Sequence, residues 1–224
     1  QTASDEARPG DPLAMQAIKA DGVYRPGGPG TTTCVVADRW GNVVSATPSA
    51  NVDTTRMDGG QAGVTYGNRL RSLNTTPGHP NCIQAGKRPR ITLTPTLVLK
   101  NGKPAFAISV AGGDRQDQTA LHMLMGAIDF GLSPAQAVRA PRFSTFHHQN
   151  SFDPNPQRDT TFTDAGALEI NDTTTESTRA ELQRRGHPLL VMERHISNPV
   201  MLSIDGGSIL AAGDPDAGRH AAGL

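Results

Sequence analysis

The sequence is short of aromatic residues, cysteine, net charge and long apolar runs, and each shortage excludes something. Phe, Trp and Tyr make up 4% of the 224 residues, so the core has to be built from Val, Leu, Ile and Ala. Lys plus Arg number 21 and Asp plus Glu 21, and only four of the basic residues are Lys (Lys19, Lys87, Lys100 and Lys103). With no polybasic block and no excess of either sign, nucleic acid and membrane surfaces are not expected partners. No run approaches the ~18 consecutive apolar residues of a transmembrane helix. The first 30 residues also lack the apolar stretch at the centre of a secretory signal. Cys34 and Cys82 have no C-x-x-C partner and no His at metal spacing, so no metal site is expected. Two buried free thiols are the expectation for them, with a disulfide as the alternative.

What the chain has in quantity is Gly (24) and Pro (17), hence many turns. Residues 1–30 are polar and broken by Pro and Gly, and read as an arm or linker with room for a short helix over 12–20. From Thr31 the pattern becomes β. Strands are expected over 32–37 and 43–47 around Asp38-Arg39-Trp40-Gly41-Asn42, then over 91–99 and 105–110 around Asn101-Gly102. Between these pairs, residues 52–89 form a Gly-rich polar connection of a length often associated with function. A helix is expected over 115–130 with Leu121, Leu124, Met125 and Ile128 on one face, closed by Gly131. Ser133-Pro134-Ala135-Gln136 carries a capping box for another. A third spans 175–185 and stops at Gly186, and last strands over 200–204 and 208–212 flank Asp205-Gly206-Gly207. The order suits an α+β fold of antiparallel sheets with helices packed outside.

Four features have chemical potential. Thr31-Thr32-Thr33-Cys34-Val35-Val36-Ala37-Asp38 begins a strand with a hydroxyl behind the flexible Arg25-Pro26-Gly27-Gly28-Pro29-Gly30. If the chain is cut before Thr31, the freed α-amine can act as general base for the threonine's own Oγ. Gly112-Gly113 follows a buried strand and precedes a helix, where backbone N–H groups can face an oxyanion. Lys87-Arg88-Pro89-Arg90 beside Ile91-Thr92-Leu93-Thr94-Pro95-Thr96 could hold a carboxylate or simply coat a loop. His147, His148 and Asp153 form an acid–base cluster, but the sequence has no G-x-S-x-G nucleophile to accompany it.

Together these segments resemble the γ-glutamyltransferase family of N-terminal-nucleophile hydrolases, over its catalytic small subunit and nearly the whole chain. The likeness rests on the Thr31 run with Gly41-Asn42-Val43-Val44-Ser45-Ala46-Thr47, on Lys87-Arg88-Pro89 with Thr94-Pro95-Thr96, on Gly112-Gly113, on Ala140-Pro141-Arg142-Phe143, and on Gly213-Asp214-Pro215, in the family's order. The resemblance implies a four-layer αββα sandwich and self-cleavage between Gly30 and Thr31. Residues 1–30 would then be the tail of a large-subunit region, and 31–224 the catalytic small-subunit domain. It makes Thr31 the nucleophile and gives Ser49 the place of a hydroxyl that hydrogen-bonds it. Asn51 becomes a substrate ligand, and Gly112 and Gly113 the oxyanion donors. Arg69, Ser72, Ile91 and Thr92 fall at the other substrate-binding positions.

The chain departs from the family pattern where the family grips a substrate ammonium. Ser72, after Arg71, replaces an acidic residue, Ile91-Thr92 replaces a Ser-Ser pair, and Ala111 replaces a Pro. The loss of that carboxylate implies the acylase-like branch and an amide substrate other than glutathione. A true γ-glutamyl transferase and an unprocessed, inactive scaffold are the alternatives. The resemblance implies no cofactor and no metal, a large subunit from the same precursor as partner, and a small amide or γ-glutamyl-like substrate. The family is often periplasmic or secreted.

Overall fold

A computed structural model describes residues 30–49, 69–147, 150–151, 157, 162, 164–193 and 195–223. It falls into two units, a larger one of residues 31–48 and 70–224, and a smaller one to which Gly30, Ser49 and Arg69 belong. The larger unit begins with a hairpin, β1 (Cys34–Ala37) and β2 (Val43–Ala46), in the register Cys34↔Ala46. Asp38 closes its turn, its Oδ1 accepting from the N–H groups of Trp40 and Asn42, both at 2.9 Å. β3 (Thr96–Lys100) and β4 (Lys103–Ala111) are joined by Asn101 (φ 53°) and Gly102 (φ 76°). Positive φ at both central residues matches the right-handed twist of the strands, which is why Asn-Gly reads as a hairpin. The strand expected from Ile91 starts only at Thr96, so Ile91 to Pro95 run as irregular chain along the sheet end.

β4 pairs with β8 (Asn198–Asp205), and β8 with β9 (Ser208–Gly213), giving an antiparallel sheet ordered β3-β4-β8-β9. Its faces are sorted by the strand period of two. Ile108, Val110 and Met201 are fully buried against α1 (Gln116–Ile128) and α2 (Pro134–Ala137), with Met123, Ala137 and Val138 completing that core. On the opposite face β1 and β2 pack against β4 and β8. The described residues therefore stack helix, four-stranded sheet and two-stranded sheet, within the α+β class expected.

The helices depart from expectation in one instructive way. α1 buries Gln116, Thr119, Ala120, Met123 and Gly126, while Leu121 (55%), Met125 (43%) and Ile128 (59%) are exposed. Of the apolar stripe read from the sequence, Leu124 packs against the core and the other three lie on the outer side. Two polar residues, Gln116 and Thr119, occupy the inward face: Gln116 meets main-chain groups at the end of the sheet, while Thr119 is buried with its hydroxyl unpartnered. α2 has the capping box: Ser133 Oγ accepts from Gln136 N–H and Gln136 Oε1 from Ser133 N–H.

A further sheet was not legible. β5 (Phe143–Ser144) pairs antiparallel with β6 (Leu168–Asn171), which runs parallel to β7 (Leu189–Met192). The β6–β7 connection is α3 (Glu176–Arg184), capped by Thr175 and ended by Gly186 at φ 89°. This is a strand–helix–strand crossover, so the sheets are not all antiparallel as the element order suggested.

Candidate active site

Register places Thr31 and the glycine pair at one end of the sheets. Thr32 N–H donates to Pro48 O at 2.9 Å, extending the β1–β2 pairing beyond Cys34↔Ala46. Below it, Ser109 Oγ donates to Ala46 O at 2.8 Å and meets Thr47 Oγ1 at 2.8 Å, both side chains buried. Ser45 Oγ adds a bond to Ile108 O at 2.6 Å. From Ala46 over Ser109, β1 runs back to Thr31 as β4 runs forward to Gly112. Of the three consecutive threonines, Thr31 and Thr33 share the inward, half-buried face and Thr32 is exposed. Cys34 is exposed too, following Thr32 on the outer face; it and Cys82 are free thiols as expected, but neither is fully buried, Cys82 being half-buried.

Gly112 continues β4, and Gly113 turns the chain at φ 61°, a left-handed conformation that favours glycine. Gly112 needs glycine for a different reason. A Cβ there would lie 2.3 Å from Ser197 Oγ, and Ser197, just before β8, is itself at φ 61° with its buried hydroxyl unpartnered. Gln116, completely buried, braces the turn. In the orientation that satisfies both ends of its amide, Nε2 donates to Val110 O (2.8 Å) and Thr92 O (3.0 Å), and Oε1 accepts from Gly113 N–H at 3.3 Å. The Gly113 N–H read as an oxyanion donor therefore has a long internal bond, one that a developing anion would outcompete. Sequence reasoning missed Gln116; the only signal was a polar residue in the helix's first turn, in phase with Ala120 and Met123.

Arg90, Ile91, Thr92, Gly113, Asp114 and Asp117 line a cavity of about 100 Å³, which brings two of the expected substrate positions beside the glycine turn. Arg90 reaches Asp114 at 3.7 Å, and Asp114 accepts from Ser151 N–H at 2.9 Å. Arg115 forms a two-pronged pair with buried Glu169 on β6 (2.5 and 2.8 Å). Ser72 is buried, and its Oγ donates to Arg90 O at 2.8 Å, so its hydroxyl serves the loop backbone. In the smaller unit Arg69 Nη2 donates to Ser49 Oγ at 2.7 Å. Asn51, His148 and Asp153 lie outside the described residues. His147 Nε2 accepts from Gly166 N–H at 2.8 Å, which ties it to a loop.

The two C-terminal motifs meet. Arg142 and Asp214 form a buried ion pair at 2.6 Å, with Arg142 also donating to Val138 O and Ile196 O. Beyond Asp214 the chain turns back, and Arg219 N–H donates to Asp214 O at 2.8 Å. Arg219 Nη2 lies 3.5 Å from Thr31 O, and burial lowers its pKa from the usual arginine value.

A family model described as gamma-glutamyltranspeptidase matches residues 2–224. The chain is 35% identical over 130 residues to the glutathione hydrolase proenzyme of Escherichia coli, covering 53% of this chain and 22% of that protein. It is 31% identical over 163 residues to the acylase ACY 1 proenzyme of a Pseudomonas species, covering 71% and 26% respectively. A solved threonine-to-alanine variant of Helicobacter pylori gamma-glutamyltranspeptidase superposes with a TM-score of 0.64 at 26% identity, over 83% of this chain and 99% of that one. The chain thus spans less than a third of the length of these curated relatives, between 20% and 30% for three glutathione hydrolase proenzymes.

Proposed function

The chain belongs to the gamma-glutamyltranspeptidase family, and from that premise we propose that it is the catalytic part of an amide-bond hydrolase or acyltransferase with Thr31 as nucleophile. Residues 31–224 are the small-subunit domain and residues 1–30 the tail of a large-subunit region of the same precursor, freed when the Gly30–Thr31 bond is cut. The observation that carries the reading is the common position of Thr31 and Gly112-Gly113 at one end of the packed sheets.

In the mature form Thr31 Oγ attacks the amide carbonyl while its proton passes to the α-amine. The negative charge that develops on the carbonyl oxygen meets the Gly112 and Gly113 N–H groups, with Gln116 holding their turn. Collapse breaks the C–N bond, the α-ammonium returns the proton to the leaving amine, and an ester to Thr31 remains. Water or an acceptor amine then takes the acyl group by the reverse sequence. Ser49 supports the nucleophile, and Asn51, Arg69, Ile91 and Thr92 bind substrate.

Ser72 gives the reading its specificity. Its hydroxyl is committed to Arg90 O, and a neutral group cannot replace a carboxylate facing a substrate ammonium, a contact worth about 1.5–3 kcal/mol. The acyl group taken is therefore one without an α-amine, as in an acylase. The test compares glutaryl-p-nitroanilide with γ-glutamyl-p-nitroanilide on the full-length protein. The glutaryl compound should have the higher kcat/KM, by about tenfold or more, and Thr31→Ala should lower turnover of both by about a thousandfold or more. A preference for the γ-glutamyl compound would identify a γ-glutamyl transferase instead, and undiminished turnover in Thr31→Ala would refute the nucleophile.

A further inference from the structure

Arg219 is the unexplained charge at this end of the molecule. Its guanidinium is half-buried, and its Nε is buried without a hydrogen-bond partner. Among the described residues no carboxylate comes within ion-pair distance of it. The carboxylate of Asp214, whose carbonyl holds the Arg219 N–H, is already matched by Arg142. His220, the next residue, is exposed, and Asp216 on the same tail is exposed as well. β1, β2 and the adjoining starts of β8 and of the Gly112 turn contribute no charged side chain up to Asp114. A cation that is partly desolvated and has no counter-ion among the described residues is costly to keep, which asks for a role.

The backbone goes to some length to keep it there. Gly213 passes so close to the returning tail that a Cβ would sit 2.6 Å from Arg219 C and 2.7 Å from both Arg219 Cβ and His220 N. Arg219 N–H is fixed on Asp214 O, and Asp214 is itself anchored by buried Arg142. The side chain so held points its Nη2 at the carbonyl oxygen of Thr31, at 3.5 Å. At that length the hydrogen bond is weak, and the positive charge beside Thr31 is the larger effect.

We propose that Arg219 is a positioning residue for Thr31: it orients the Thr31 peptide and keeps the liberated α-amine neutral, and therefore basic, at neutral pH. The inference rests on Thr31 being the N-terminal nucleophile. Its physics is simple. An α-ammonium forming on the same residue whose carbonyl faces a guanidinium is repelled by it, so the neutral amine is favoured. The neutral amine is the form that can accept the Oγ proton. No bond to Arg219 is made or broken, and it moves no proton.

The amine can be read without knowing the substrate. In self-cleaved full-length protein labelled with 15N-threonine, both fragments kept together, Thr31 supplies the only free threonine amine, resolved from the amides by NMR. Arg219→Gln should raise its titration midpoint by about half to one pH unit, the half-exposed site screening a larger shift. Arg219→Lys, which keeps the charge, should stay within about 0.3 of wild type. If Arg219→Gln is not cleaved while Arg219→Lys is, the orienting part of the role is supported directly. A midpoint unchanged in Arg219→Gln, or moved equally in Arg219→Lys, overturns the proposal. A wild-type protein with no threonine amine at all refutes the nucleophile assignment itself, a different failure.

Discussion

Gly112 and Ser197 face each other across the end of the β4–β8 pairing with no room for one more carbon. Gly112, at φ 162°, lies outside the left-handed region and its glycine is required by packing against Ser197, whereas Gly113 at φ 61° is required by backbone conformation. Gly112→Ala should destabilise the protein by about 1–3 kcal/mol through overpacking. Ser197→Gly removes the obstructing side chain and also the cost of holding a serine at φ 61°, so the double variant should recover most of that loss. Urea midpoints for the four proteins check this, and a Gly112→Ala protein as stable as wild type would contradict the contact. At this scale the sequence was informative where the backbone demands a residue type, as at Gly113. It was silent where a neighbour distant in the chain does the demanding. Gln116, Ser197 and Arg219 act through partners that no local pattern announces.

The element scale is where local pattern and tertiary context diverged most. The three hairpins β1–β2, β3–β4 and β8–β9, the Gly131 and Gly186 stops and the Ser133 capping box were legible because a few adjacent residues settle each. The buried face of α1 was not, since polar Gln116 and Thr119 sit on it and Leu121, Met125 and Ile128 lie outside. β5, β6 and β7 escaped because strands of two to four residues carry little periodic signal. The helix offers a direct check. Met123→Ala should cost about 2–5 kcal/mol, because the side chain is 1% exposed within the core that includes Ile108, Val138 and Met201. Ile128→Gln should change stability by no more than about 0.5 kcal/mol. Thermal or urea unfolding giving the reverse order would restore the face read from the sequence.

At the scale of the whole molecule, the buried Arg142–Asp214 pair joins two motifs 72 positions apart and anchors the tail that returns to Thr31. The first motif supplies the cation that fixes Asp214, and the second turns at Gly213 and carries the chain on to Arg219. The layered α+β class followed from element order, and the αββα expectation from the family resemblance. Partner and substrate depend on the rest of the protein, since this chain spans under a third of its curated relatives. The central claim is that Thr31 generates itself as an N-terminal nucleophile, although Gly30 still precedes it here. The most direct test is intact-mass analysis with N-terminal sequencing of the purified full-length protein over time. The account predicts a fragment beginning Thr31-Thr32-Thr33-Cys34, accumulating in wild type and absent from Thr31→Ala. A protein that turns over amides while the Gly30–Thr31 bond stays whole, or a Thr31→Ala variant cut at the same place, would contradict it.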